Sequence, residues 1–139
     1  MDSWKEFSAK TSPTVARTQF ARKNPARLTS KRLSLNAFWV RDEGLDKKNR
    51  VRVFYNESRK EVALQFVESS ETDGTISFRQ HPNTSSGGAY MVASNQFVSR
   101  LEEYGYPLKS SLPMLPKKID TPRGPLEVYV IGKKAEYGV

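Results

Sequence analysis

The first third of the chain is crowded with side chains that can hold an anion. Arg17, Arg22, Lys23, Arg27, Lys31 and Arg32 come first, and Arg41, Lys47, Lys48, Arg50 and Arg52 follow. Guanidinium and ammonium groups donate hydrogen bonds and accept none, so the series is matched to phosphate or carboxylate oxygens. The formal net charge is +8, and all of that excess falls in residues 1–52, because the acids and bases of 53–139 cancel. A basic front on a neutral body is the pattern of a chain that meets a polyanion. Nucleic acid is the foremost such partner, with an acidic protein surface as the alternative. Phe54 continues the alternation of Arg50 and Arg52, and basic and aromatic groups on one strand face can grip a backbone and stack a base. The competing reading gives the two arginines to cross-strand pairing and edge protection, and Phe54 to packing beneath the N-terminal arm or against a second sheet.

Catalytic combinations are poor by comparison. His81 is the sole histidine and there is no cysteine, so neither a thiolate nucleophile nor an ordinary Cys/His zinc set can be assembled. No nucleophile-elbow sequence surrounds any serine, and Gly87-Gly88 lacks the Lys and Ser/Thr of a phosphate loop. Glu102 and Glu103 are neighbours on an expected helix and do not face each other. The expectation is therefore a protein that is not an enzyme, with no cofactor and no metal.

These cationic groups must be positioned by something. The hydrophobic fraction of 37% and mean hydropathy of -0.65 are low for a packed chain, so one part is expected to be ordered only against a partner. That part is residues 1–31, read as a basic N-terminal arm. Ser12-Pro13 opens a helix of about ten residues, too short to be stable alone, and Asn24-Pro25 stops it. Trp4 and Phe7 lie three residues apart and suit one face of a short helix that docks on something.

Residues 32–139 are expected to form a single domain. Leu33-Ser34-Leu35 alternates as a strand; Asn36 caps a helix over 37–43; Gly44 stops it, and Leu45 packs back. Then R-V-R-V-F-Y-N-E-S-R-K-E-V-A-L-Q-F-V holds two alternating runs around a polar turn, a hairpin signal. Residues directly opposite in a hairpin share a face. A four-residue turn, 57–60, pairs Tyr55 with Val62, Val53 with Leu64 and Val51 with Phe66, making one face wholly apolar. A five-residue loop would oppose Tyr55 to Glu61, so the shorter turn is expected. Residues 68–89 read as a polar connector around one short strand, 75–79, with a surface loop over 81–88.

A similar order then returns. Tyr90 to Ala93 alternates as a strand, Ser94 caps a helix with an apolar stripe at Phe97, Val98, Leu101 and Tyr104, and Gly105 stops it. A second hairpin turns at Thr121-Pro122-Arg123-Gly124. Cap to stop spans 8 positions in the first unit and 11 in the second, and three extra residues make about one more helical turn. The chain thus reads as two strand-helix-hairpin units, 32–67 and 90–132. The expected class is α+β: a small, mixed, mainly antiparallel β barrel or sandwich with two short helices and the basic arm.

The first unit resembles the swapped-hairpin DNA-binding domain of the AbrB, MazE and SpoVT group. The shared cadence is the strand at 32–36, the helix at 37–43, Gly44-Leu45, the basic turn 46–49 and the Val-x-Val hairpin 50–67. Two departures stand out: Asn36-Ala37 replaces the proline that usually opens the helix, and Asn49 the usual glycine before the hairpin. The resemblance implies two copies intertwined into a small barrel, here in tandem within one chain as in MraZ-type proteins. It also implies DNA contacts at Arg32, Arg41, Lys47, Lys48 and Arg50.

Together these readings describe a DNA-binding regulatory or accessory protein, DNA being favoured over RNA. The arm captures phosphates and the segment 47–52 positions them. The runner-up is an inhibitor or adaptor whose arm wraps an acidic protein. No signal-like or membrane-spanning apolar run is present, so a soluble cytoplasmic location is expected, with a homodimer left open.

Overall fold

The computed structural model describes residues 20–68, 74–80 and 89–136. The alternating runs become strands β1 (Ala26–Leu28), β2 (Leu33–Leu35), β3 (Arg50–Asn56), β4 (Glu61–Val67), β5 (Thr75–Gln80), β6 (Tyr90–Val92), β7 (Ser111–Leu112), β8 (Met114–Thr121) and β9 (Gly124–Ile131). Helix α1 (Ala37–Asp42) follows β2, and α2 (Asn95–Glu103) follows β6. Residues 20–23 are also helical. The chain is a mainly antiparallel α+β structure. Where a mixed sheet was expected, every ladder among the described residues is antiparallel.

Both helices begin and end by the devices their sequences carry. Asn36 Oδ1 accepts from the Trp39 amide, and Ser94 Oγ from the Phe97 amide. At the other end Gly44 and Gly105 adopt φ of 70° and 88°, the left-handed region that side chains with a Cβ resist. That turn lets the next amide reach back: Leu45 N–H donates to the Val40 carbonyl and Tyr106 N–H to the Leu101 carbonyl. Leu45 and Tyr106 are buried as a result, sealing the two helix ends.

The hairpin register follows parity. Tyr55 opposes Val62, Val53 opposes Leu64 and Val51 opposes Phe66, with Asn56 and Glu61 closing the ladder around residues 57–60. Beyond that hairpin the pairing is long-range. The strand order is β7-β1-β2-β6-β5-β3-β4-β9-β8. β7 and β8 occupy opposite ends of this order, yet only Pro113 separates them in sequence. The sheet must therefore curl until its ends meet. Proline suits that corner because it has no amide to leave unpaired, while its carbonyl accepts from Gly132 N–H at 2.8 Å.

Inside the curl lies one apolar cluster. Leu28, Leu33, Val51, Leu64 and Phe78 enter it from the strands, Trp39 and Val40 from α1, and Phe97 and Leu101 from α2. Trp39 meets the edges of Phe66 and Tyr129, centroids 6.3 and 5.2 Å away. A smaller cluster lies on the outer side: Ala63, Val128 and Val130, with Phe54, Ile119 and Leu126 packed against them. The β8–β9 hairpin thus continues the outer apolar face of β3–β4 across the β4–β9 ladder.

One polar group bridges the sheet at one of its two shortest ladders. β4 and β9 share only the pairs Ala63–Val130 and Leu64–Tyr129. Where the next pair would form, the Tyr106 hydroxyl accepts from Val62 N–H at 3.0 Å and donates to the Ile131 carbonyl at 2.8 Å. Burial pushes this phenol up to about 12. Tyr129 is also raised, by burial and by its 2.8 Å hydrogen bond to Glu43.

The boundary of the expected arm needs correction. Residues 26–28, assigned to it, form a strand between β2 and β7, with Ala26 and Leu28 buried. Asn24 secures the approach. Its Nδ2 donates to the Phe20 and Glu136 carbonyls, and its Oδ1 accepts from the Glu136 amide. The Asn24-Pro25 stop does fall where helical residues 20–23 end. The rest of the arm with Trp4, Phe7, Ser12 and Arg17, and the loop with His81, lie outside the described residues.

Candidate nucleic-acid interface

Because side chains alternate across a strand, core-facing residues fix which residues face out. In β1, Ala26 and Leu28 point inward and Arg27 is exposed between them. In β2, Leu33 and Leu35 are buried and Ser34 faces out. In β6, Tyr90 and Val92 join the core, and Met91 takes the other side, where it too is buried, with Arg32 against its sulfur. In β5, buried Phe78 sets the parity that turns Thr75, Ser77 and Arg79 outward. Arg50 and Arg52 of β3 flank core-facing Val51 and so face out as well.

The registers align these outward residues across the sheet. Arg27 is directly opposite Ser34, Ser34 opposite Met91, and Met91 opposite Arg79. Arg32, just before β2, places Nη1 3.6 Å from the Met91 sulfur. On the far side of β5, Arg50 stands opposite Ser77 and Arg52 opposite Thr75. Arg27 of β1, Arg32 just ahead of β2, Arg79 of β5 and Arg50 and Arg52 of β3 therefore lie on one face, to which β6 contributes Met91 and no arginine. The outward positions of β1, β2, β6, β5 and β3 include no Asp or Glu.

The arginines are held to different degrees. Arg50 is tied down: Nε donates to Thr75 Oγ1 at 2.5 Å and Nη2 to the Thr75 carbonyl at 2.9 Å. Arg52 Nη1 donates to Gln65 Oε1 at 2.9 Å. These are the cross-strand bonds expected on the competing reading, and they fix both guanidinium planes. Among the described residues no carboxylate lies within ion-pair distance of Arg27, Arg32, Arg50 or Arg79. A guanidinium has five N–H donors, so donors remain on Arg50 after its two bonds.

The other cationic candidates separate from this face. Arg22 pairs with Asp42 at 3.0 Å and lies over the exposed Phe38 ring, 5.6 Å from its centroid. Lys48 pairs with Glu68 at 3.6 Å. Lys23 is exposed beside Asn24, Arg41 is exposed on α1, Lys31 is exposed in the β1–β2 turn, and Lys47 is exposed ahead of β3. The turn carrying Lys47 and Lys48 borders the arginine face, since the Asn49 carbonyl accepts from Phe78 N–H. Phe54 is half-buried against the outer apolar cluster that β4, β8 and β9 form beside it within the same sheet, so its packing needs neither a base nor a second sheet.

Arg79 is the residue sequence reasoning missed. Its strand was found, but the segment was treated as a connector. The alternation of Ile76 and Phe78 with Thr75, Ser77 and Arg79 was the available signal. A concavity of about 490 Å³ lies between the two hairpin tips over Phe54, Ala63 and Ile119. Arg59, Lys117, Glu61 and Asp120 line it, so its charges are mixed where those of the arginine face are not.

No group of His, Asp and Glu among the described residues could hold a metal ion, and none of their helices is long and apolar enough to cross a membrane. Neither a family model, nor a curated protein, nor a solved structure matches the chain.

Proposed function

We propose that the protein binds nucleic acid, DNA in the first instance, through the outer face of β1, β2, β6, β5 and β3, in a regulatory or accessory role. One observation carries this reading: five arginines share a continuous sheet face without an acidic residue among its outward positions. An ordinary solvated surface mixes its charge signs, as the helix side does with Arg22–Asp42 and Arg100–Glu103. An unmixed arginine face suits phosphate oxygens, which accept paired guanidinium donors. Lys31 and Lys47 at its borders widen the reach.

The two-unit architecture belongs to the same proposal. We infer that β1-β2-α1-β3-β4 and β5-β6-α2-β7/β8-β9 are two copies of one block, arranged as in the swapped-hairpin barrel that the first unit resembles. Support comes from the pairing. β3 joins β5, and β7 joins β1, so each hairpin sits among strands of the other unit. The recurring Asn36/Ser94 caps and Gly44/Gly105 stops point the same way.

Fluorescence anisotropy of labelled DNA across a salt series tests the function. Neutralising four or five phosphates predicts a slope of log affinity against log salt of about −4. Binding that ignores salt, or no binding, overturns the proposal. In that event the arginine face would be left to an acidic protein partner, sought by pull-down after nuclease treatment.

A further inference from the structure

A further concavity, about 590 Å³, opens where the two ends of the described chain meet. Asn24 joins those ends, its Nδ2 donating to the Phe20 and Glu136 carbonyls. Phe20, Pro107, Leu112 and Ala135 form the apolar part of the concavity, and Lys133 and Lys134 are the charged residues that line it. Leu108, the residue after Pro107, is 44% exposed, one of three large apolar side chains so exposed among the described residues. Lys133 is engaged from within, because its Nζ donates to the Tyr104 carbonyl at 2.6 Å and lies over the Tyr106 ring. Lys134 is exposed, and among the described residues no carboxylate lies within ion-pair distance of it. The site therefore offers an apolar floor and a cationic rim.

We infer that this concavity is the docking site of the chain's own first residues, Trp4 and Phe7 filling its apolar part and Asp2 and Glu6 meeting Lys134. The sequence of that segment, M-D-S-W-K-E-F, matches the site in both respects. Asp2 and Glu6 are the only acids before Asp42, and they alternate with the two aromatics. Large aromatic rings carry the most apolar area per residue, and the volume is within the range of ligand-sized pockets, about 300 to 1,000 Å³. The concavity between the hairpin tips has carboxylates as well as cations on its rim, so it gives an acidic segment no such preference. Phe20 lines the site itself, which makes residues 8–19 a tether of 12 residues. Such a tether spans at most about 40 Å and holds its tip at an effective concentration on the order of millimolar, an advantage that no free peptide of the same chemistry has. Ser111, on the rim, stands opposite Arg27 in the β7–β1 ladder. Docking thus seats the acidic tip at the border of the arginine face, with Arg17 on the tether beside it.

Tryptophan fluorescence of the full chain tests this, since Trp4 and Trp39 are its two indoles. Trp4→Phe keeps an aromatic ring in place, and its difference spectrum from the parent isolates Trp4 from buried Trp39. The Trp4 component should emit at the short wavelength of a sheltered indole and resist acrylamide, at every protein concentration. Lys134→Glu should move that component to the long wavelength of an indole in water and raise its quenching several-fold. Adding Asp2→Lys and Glu6→Lys to Lys134→Glu should restore the sheltered signal by exchanging the charges. Lys117→Glu, at the other concavity, should leave it unchanged, and circular dichroism checks that each variant folds. Water-like emission of Trp4 in the parent chain overturns the inference, as does shelter that Lys134→Glu leaves intact or that Lys117→Glu removes. Shelter lost on dilution assigns the occupant to a second copy and overturns it too. None of these readouts involves nucleic acid, so the DNA salt series stands or fails separately.

Discussion

Replacing Tyr106 by phenylalanine removes one oxygen and tests the logic of the sheet. That oxygen satisfies two buried backbone groups, Val62 N–H and the Ile131 carbonyl, at the end of a ladder with only two registered pairs. Leaving a buried polar group unpaired costs about 1 to 3 kcal/mol, so Tyr106→Phe should destabilise by about 3 kcal/mol. Urea denaturation at pH 8 measures this directly. The pH dependence supplies an independent check. The folded phenol is pushed up to about 12 from its ordinary value of 10.0, so the folded state holds its proton more tightly than the unfolded state does. The associated stability is complete below pH 10 and is lost as the pH rises through about 12, each tenfold fall in proton activity between those limits removing about 1.4 kcal/mol. Because Tyr129 also titrates high, the relevant quantity is the difference between wild type and variant. Their stability gap should narrow steadily between pH 10 and 12. If β4 and β9 can instead close and bond Val62 directly to Ile131, the loss falls below about 1 kcal/mol and the Val62 amide stays protected from exchange. That outcome would refute the hydroxyl as a necessary rung.

Other expectations concern the caps, Asn24 and the outer apolar cluster. Gly44→Ala and Gly105→Ala should each cost about 1 to 2 kcal/mol from backbone strain alone, because no atom lies within 4 Å of either added Cβ; chemical denaturation giving unequal losses would break the equivalence of the two helix ends. Ser94→Ala should cost about 1 kcal/mol by removing the α2 cap, read by thermal melts. Asn24→Ala should raise the hydrogen exchange of Ala26 to Leu28 selectively, since Asn24 ties their approach to Glu136. Phe54→Ala should destabilise by about 2 kcal/mol, less than a full core truncation, while DNA affinity by anisotropy changes less than twofold; a tenfold loss would return Phe54 to base stacking.

What was legible in the sequence is what local physics decides. Parity separated the observed β3–β4 register from a one-residue slip, which would set Tyr55 against Glu61 and Val51 against Gln65. Asn36 and Ser94, with Gly44 and Gly105, bounded both helices within a residue or two. β1 escaped because Ala26-Arg27-Leu28 is three residues between a proline and a charged turn. Its strand state is conferred by β2 and β7 on either side and by Asn24 reaching Glu136, contacts made across the length of the chain. Phe54 was ambiguous for a similar reason, since its burial depends on a hairpin more than sixty residues downstream.

The candidate site was hidden by the same topology that builds it. Charge counting located the excess in residues 1–52, and Arg27, Arg32, Arg50 and Arg52 are indeed drawn from there. Counting could not show that Arg79, in a stretch whose charges balance, completes the face. Its place depends on β6 pairing with β2, which carries Met91 to Ser34 and so Arg79 to the far side of Arg27. Nor could it show that Arg22 and Lys48, as basic as the rest, are engaged by Asp42 and Glu68. With β3 paired to β5 and β7 to β1, both the face and the core are completed only by strands far apart in the chain. The distribution of charge along the chain and its distribution in space are therefore separate facts, joined only by the long-range pairing of the strands. A basic surface assembled in this way persists only while the whole sheet is closed. Loss of the fold at the β4–β9 or β7–β1 ladders should then remove binding together with stability, whereas loss of the arginines should remove binding alone.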